Sequence, residues 1–187
     1  FLKIGDVTAG SIKSGGTTRR AAKMVCVDID HPDVEKFIDW KVIEEQKVAS
    51  MVAGSKTCRK YLTAVYEAVG EDDDADTMTL KKAIREARRH FVPENYIQRV
   101  IRLAEMNEPF SFSEFDTDWE SEAYMTVSGQ NANNTVRVTN DFLFAVEENG
   151  YHDLRWRLSK EVARTVKAED LWHKITSAAW QSADPGL

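Results

Sequence analysis

The chain has 187 residues, 42% of them apolar and 30% charged, with a formal net charge of −6. That length suits one large domain or two small ones with an ordinary globular composition, and the negative charge argues against a general nucleic-acid or anionic-membrane surface. The longest apolar runs fall far short of the roughly 20 residues needed to span a bilayer, and no secretory leader is visible, so the cytoplasm is the expected compartment.

The opening FLKIGDVTAGSIK reads as the later part of a helix over residues 1–13, with Phe1, Ile4, Thr8 and Ile12 near one face and Gly15-Gly16 ending it. Residues 21–29 (AAKMVCVDI) read as a strand, with Val25, Val27 and Ile29 on one face and Met24 and Cys26 on the other. Apolar residues on both sides predict a strand inside a sheet covered on both faces. DHPDVEKFIDW then starts a helix, with Pro32 in the first turn and Asp30, Asp33 and Glu35 at the positive end of its dipole.

From Ile43 to Val69 a long helical segment is expected, broken near Gly54-Ser55, and GEDDDAD reads as a solvated turn. Leu80, Ala83, Ile84 and Ala87 mark one amphipathic helix, and Ile97, Val100, Ile101 and Ala104 another. After the loop NEPFSFSEFDTDWESE, NNTVRV predicts a short strand, NDFLFAVEENG a helix closed by Gly150, and residues 151–167 a β-hairpin. Leu171, Trp172, Ile175, Ala178 and Ala179 form the apolar stripe of a last helix, which Pro185-Gly186 stops. No internal repeat appears. The organisation expected is an all-helical insert, residues 44–122, between two α/β pieces, 1–43 and 123–187. Its small core is drawn from Leu62, Val65, Leu80, Ile84, Ile97, Val100 and Ile101. The chain opens without Met inside a helix and stops where one has ended, so a segment of something larger is expected.

The turn KSGGTTRR, residues 13–20, admits two readings. It is either a helix-to-strand connection with solvated arginines, or an anion or nucleotide contact built from backbone N–H groups, two hydroxyls and two guanidiniums. Its spacing is neither the Walker pattern nor GxGxxG. Cys26 and Cys58 have neither metal-ligand spacing nor a disulfide framework. Cys26, mid-strand, reads as a small buried hydrophobe, and Cys58 as a structural or incidental thiol, with a pKa lowered by Lys56, Arg59 and Lys60 as the alternative. His31 reads as a helix-start residue, and His90, His152 and His173 are too scattered for a metal site. Lys81, Lys82, Arg85, Arg88 and Arg89 form an outward basic face, read as solvated and balanced by the preceding acidic run, with contact to a neighbouring domain or nucleotide as the alternative. Asn131, Asn133 and Asn134 suit turn backbone groups, with a contact near a substrate cleft as the alternative.

Four blocks in order, SGGTTRRAAKMVCVDIDHPDVEKFIDWK, EEQKVASMVAGSK, SGQNANNTVRVTNDFLFAV and DLWHKITSAAWQSADPGL, together resemble the adenosylcobalamin-dependent ribonucleotide reductases. The resemblance runs over almost the whole chain and is weakest over residues 70–122. It implies an α/β fold, a segment of that family's ten-stranded α/β barrel interrupted by the helical insert. It also implies that Lys13, Ser14, Gly15, Gly16, Thr17, Thr18, Arg19 and Arg20 form the specificity loop between a deoxynucleotide effector site and the substrate base. Glycine would let such a loop change shape with the effector, and the hydroxyls and guanidiniums would bind bases and phosphates. The family's radical cysteine lies in an Asn-x-Cys-x-Glu loop that this chain lacks, and its reducing cysteine pair flanks this region, so no catalytic or metal-binding residue is assigned here. The implied activity of the full-length chain is that of an adenosylcobalamin-dependent ribonucleoside-diphosphate reductase. The implied partners are a ribonucleotide substrate, a deoxynucleotide effector and a dithiol reductant such as thioredoxin, with adenosylcobalamin bound mainly elsewhere and a homodimer compatible. Outside that resemblance, the competing readings are a stand-alone nucleotide-binding regulatory module and, for the insert, a partner-docking domain.

Overall fold

The computed structural model describes residues 2–11, 23–69, 76–118 and 121–187. The described chain is mixed α/β and divides into two compact units, Phe1–Lys47 with Tyr124–Leu187, and Val48–Ala123.

In the first unit, α1 (Leu2–Ser11) is followed by β1 (Lys23–Asp28), which pairs in parallel with β2 (Ala132–Arg137), Val25 opposite Asn134 and Val27 opposite Val136. Gly186 takes the other edge of β2: its N–H donates to the Asn134 carbonyl at 2.8 Å and its carbonyl accepts from Val136 N–H at 2.9 Å. Beyond β2 come α6 (Asn140–Glu147), the antiparallel pair β3 (Tyr151–Arg155) and β4 (Val162–Lys167), and α7 (Ala168–Ser182). Among the described residues the two sheets have two strands each, and no closed barrel is formed.

One face of β1–β2 packs on the start of α2 (Val34–Val69) and on α6 and α7, through Ile29, Val34, Phe37, Ile38, Val136, Phe142, Leu154, Leu171, Ile175 and Ala178. Each large apolar side chain so buried contributes about 1.5–3 kcal/mol. The other face departs from expectation: Met24 is 71% exposed and Cys26 is exposed. Among the described residues no layer covers that side, so Cys26 is not a buried hydrophobe.

Helix ends follow local chemistry. His31 Nδ1 accepts the Asp33 N–H at 3.0 Å, so this histidine does start α2. Thr139 Oγ1 caps α6 by accepting the Phe142 N–H at 3.3 Å. The same helix closes with paired bonds, Gly150 N–H to Ala145 carbonyl at 2.7 Å and Asn149 N–H to Val146 carbonyl at 3.3 Å. The left-handed residue there is Asn149, with φ 54°, so Asn149 rather than Gly150 makes the turn.

Helix α1 also differs. Its expected apolar face is not the buried one, because Ile4 is 71% exposed while Leu2 packs on the core and Asp6 is buried. The predicted break at Gly54-Ser55 is absent, and α2 runs unbroken for 36 residues. Ser55 Oγ donates to the Val52 carbonyl and accepts the Phe115 N–H, both at 3.0 Å, so its polar group is satisfied in helical geometry. A solvent-facing glycine weakens a helix by about 1 kcal/mol relative to alanine, too little to break one this long.

The second unit holds the rest of α2 with α3 (Asp76–Arg89) and α4 (Glu94–Glu105). Leu62, Val65, Ala87, Val92, Ile97 and Val100 form its buried cluster, with Leu80, Ile84 and Ile101 packed against it. The segment expected as loop up to residue 122 runs into a short helix, α5 (Glu122–Thr126).

Candidate functional site

The residues singled out in the sequence, Lys13, Ser14, Gly15, Gly16, Thr17, Thr18, Arg19 and Arg20, lie outside the described residues. Their two stems do not: α1 ends at Ser11 and β1 begins at Lys23. Both stems meet the amide-rich turn before β2. Asp6 is only 3% exposed, and its two carboxylate oxygens accept the N–H groups of Gly129 at 2.7 Å and Asn131 at 3.0 Å. The Asn131 side-chain amide donates back to the Asp6 carbonyl at 3.4 Å. The Asn131 carbonyl accepts the Lys23 N–H at 2.8 Å, and Lys23 Nζ donates to the Leu2 carbonyl at 2.6 Å.

Glycines line the approach of α1 to this turn. A Cβ on Gly10 would lie 2.8 Å from Asn131 Nδ2, and one on Gly5 would lie 3.1 Å from Lys23 Nζ. Gly129 itself has φ 87°, a conformation that suits glycine. A second carboxylate holds the other side of the turn: Glu44 accepts the Ser128 N–H at 2.8 Å and pairs with Lys47 at 2.6 Å. Burial pushes the Glu44 carboxyl up, but the Lys47 ammonium and the Ser128 N–H outweigh it and hold it below the usual range. Lys41 forms an ion pair with Asp184 beside Pro185.

Sequence reasoning placed Asn131, Asn133 and Asn134 in this turn but missed Asp6 and Glu44. Asn131 does bond in the turn, but Asn133 and Asn134 lie on β2 instead, the first exposed and the second buried with an Oδ1 that finds no donor among the described residues. The available signal for Asp6 was its position as the lone carboxylate of α1, flanked by Gly5 and Gly10.

The other candidates lie apart from the stems. At the far end of β1, Asp28 and Asp30 hold Arg137 and Arg157, through Nε of Arg137 to Asp28 and Nη2 of Arg157 to Asp30, both at 2.6 Å. Cys58 packs against the second core, and burial pushes its thiol up rather than the nearby cations drawing it down. His90 stacks on Tyr61 with ring centroids 4.2 Å apart and bonds its hydroxyl at 2.9 Å. His152 packs edge-on against Phe142 in the first unit. In the basic face, Arg88 pairs with Glu94 through two bonds of 2.8 and 2.7 Å, while the acidic run ahead of α3 includes residues outside the described set. The described residues contain no group of three His, Cys, Asp or Glu side chains able to hold a metal.

The whole chain, residues 1–187, matches the family described as ribonucleotide reductase, barrel domain, and it belongs to that family. Three relatives, each named vitamin B12-dependent ribonucleotide reductase, narrow the likeness. One from Bradyrhizobium diazoefficiens is 58% identical over 196 aligned positions, covering 100% of this chain and 16% of the relative. One from Agrobacterium fabrum is 57% identical, covering 100% of this chain and 15% of the relative. One from Streptomyces avermitilis is 35% identical, covering 100% and 13%. The chain therefore spans about a sixth of the length of the first of these relatives.

Proposed function

We propose that the polypeptide containing this segment is a cobalamin-dependent ribonucleotide reductase, and that the segment supplies barrel strands and the loop that matches substrate choice to the bound effector. The carrying observation is the match over all of residues 1–187, together with relatives of that name up to 58% identical. In the reaction, the ribose 2′-hydroxyl leaves as water and a hydrogen takes its place. A dithiol, such as that of thioredoxin, becomes a disulfide and supplies the two electrons and two protons.

Adenosylcobalamin, when bound, supplies the means of generating a protein thiyl radical. The Asn-x-Cys-x-Glu pattern does not occur in residues 1–187, so the radical cysteine, and with it most of the cofactor's binding, is assigned to other parts of the polypeptide. The ten-stranded barrel, a diphosphate substrate, a deoxynucleotide effector, a homodimer and a cytoplasmic setting belong to the same proposal. Within it, Lys13, Ser14, Gly15, Gly16, Thr17, Thr18, Arg19 and Arg20 form the specificity loop. Its hydroxyls and guanidiniums are suited to base edges and phosphates.

The test uses the intact polypeptide with adenosylcobalamin, a dithiol and ribonucleoside di- and triphosphates. Deoxynucleotide formation is expected, with substrate preference changing as the deoxynucleotide effector is changed. Arg19→Ala/Arg20→Ala should blur that preference more than it lowers the unfolding temperature. Unchanged preferences with every effector would remove the loop from the mechanism. Residues 1–187 alone should give no turnover, since the Asn-x-Cys-x-Glu pattern is absent.

A further inference from the structure

We propose that Asp6 is a positioning residue: it ties the entry stem of the 13–20 loop to the turn that holds the loop's exit stem, and this tie carries effector identity to substrate selection. The inference rests on the reading of that loop given above.

The bonds form a closed circuit. Helix α1 reaches the turn through Asp6, whose carboxylate takes two backbone N–H groups 123 and 125 residues away in sequence. The turn reaches β1 through the Asn131 carbonyl and the Lys23 N–H. Strand β1 returns to α1 through Lys23 Nζ and the Leu2 carbonyl. The loop's entry and exit are thus joined by a route that does not pass along the loop.

Two features make the circuit stiff. Bonds from backbone N–H groups to an ionised carboxylate are the strong kind, and leaving them unmade at a buried site is costly. Gly10 lets α1 sit close to Asn131, where a Cβ would displace the side-chain amide that bonds Asp6, and Gly5 faces the end of the Lys23 side chain. A turn that needed only local closure could use its own serine and asparagine side chains. Here the bonds run instead to the helix that leads into the loop. Helix α1, the turn and Lys23 are thus held in one contiguous hydrogen-bonded network, of the kind through which coupling between two sites can be carried.

The experiment measures, in the intact reductase, the product ratio from two competing ribonucleotides with each deoxynucleotide effector. Asp6→Ala is expected to compress the effector-dependent change in that ratio at least about fivefold, the lower end of ordinary allosteric coupling. Asp6→Asn keeps one acceptor oxygen, is the better folded of the two, and should fall between Asp6→Ala and the parent. Ile175→Ala, a core truncation in the same unit, should lower the unfolding temperature and leave the response intact. A full response in both Asp6 variants, beside a lost response in Arg19→Ala/Arg20→Ala, overturns the tie and leaves the loop reading standing. A response compressed as much by Ile175→Ala as by Asp6→Asn also overturns it, as general loss of stability. A full response in the arginine double variant overturns the loop reading, and the tie falls with it.

Discussion

At the scale of single residues, the environment decides what each polar group does. His152 shows this through titration. Its ring sits against Phe142 with Nε2 buried and unbonded among the described residues, and burial pushes its pKa down even though Asp30 and Asp153 pull the other way. A histidine with a depressed folded pKa binds its proton more readily when unfolded. Its neutral form is accommodated above the ordinary value of 6.5, and stability is lost as pH falls below that value toward the folded pKa. His152→Phe should therefore flatten the fall in unfolding free energy between pH 7 and pH 5, measured by urea titration at each pH. A slope identical to the parent's would show that His152 does not titrate differently on folding. Phe91 is a second residue set by context. It is 92% exposed and holds φ 60° at the end of α3, where Phe91 N–H to the Arg88 carbonyl and Val92 N–H to the Ala87 carbonyl close the helix. That position favours glycine, and an L side chain there costs about 1–2 kcal/mol.

At the scale of elements, α2 carries the sharpest disagreement between pattern and structure. Glycine beside serine is a reasonable breaking signal. In the fold, a Cβ on Gly54 would meet nothing within 4 Å, and Ser55 finds partners on both sides of its hydroxyl. Because the backbone there is helical and open to solvent, Gly54→Ala should raise stability by about 1 kcal/mol. Chemical denaturation of the parent and variant checks it. Destabilisation would mean that residue 54 needs a conformation alanine cannot adopt. The hairpin β3–β4 shows the opposite relation, in which local pattern sufficed. Leu154 is fully buried and shares its face with His152 and Val166, while Tyr151, Thr165 and Lys167 lie on the other, exposed face, as alternation along a strand requires. Its connecting segment is then fastened by Arg157 to Asp30, and the end of β3 by Arg155 N–H to the Asp30 carbonyl at 2.7 Å.

At the scale of the whole molecule, the two units have separate clusters of buried side chains. We propose that the helical stretch, expected over 44–122 and compact over Val48–Ala123, is an insert with its own core between the α/β pieces. Leu62 is fully buried at its centre, so Leu62→Ala should lower this unit's stability by about 2–5 kcal/mol. Amide hydrogen exchange distinguishes the outcomes. Protection should fall in α3 and α4 while that of β1 and β2 is retained, because units that open separately report separate free energies. An equal loss in β1 and β2 would mean that the chain unfolds as one piece.

The sequence by itself determined the kinds of element and the family. Periodicity located α3, α4 and α7, an apolar run located β1, short strand-like segments located β2 and the hairpin, and the four ordered blocks carried the resemblance that the match over residues 1–187 supports. These are short-range or pattern properties, written in neighbouring residues. What the tertiary structure decided were the long-range partners. Asp6 looks like an ordinary helical carboxylate until two N–H groups from a turn 123 and 125 residues away close on it. Gly186 looks like a helix stop until it pairs with Asn134 and Val136. Cys26 looks like a core residue until the layers are in place and its face is the uncovered one. In each case burial and bonding depend on which distant segment arrives, and residue type alone does not specify that.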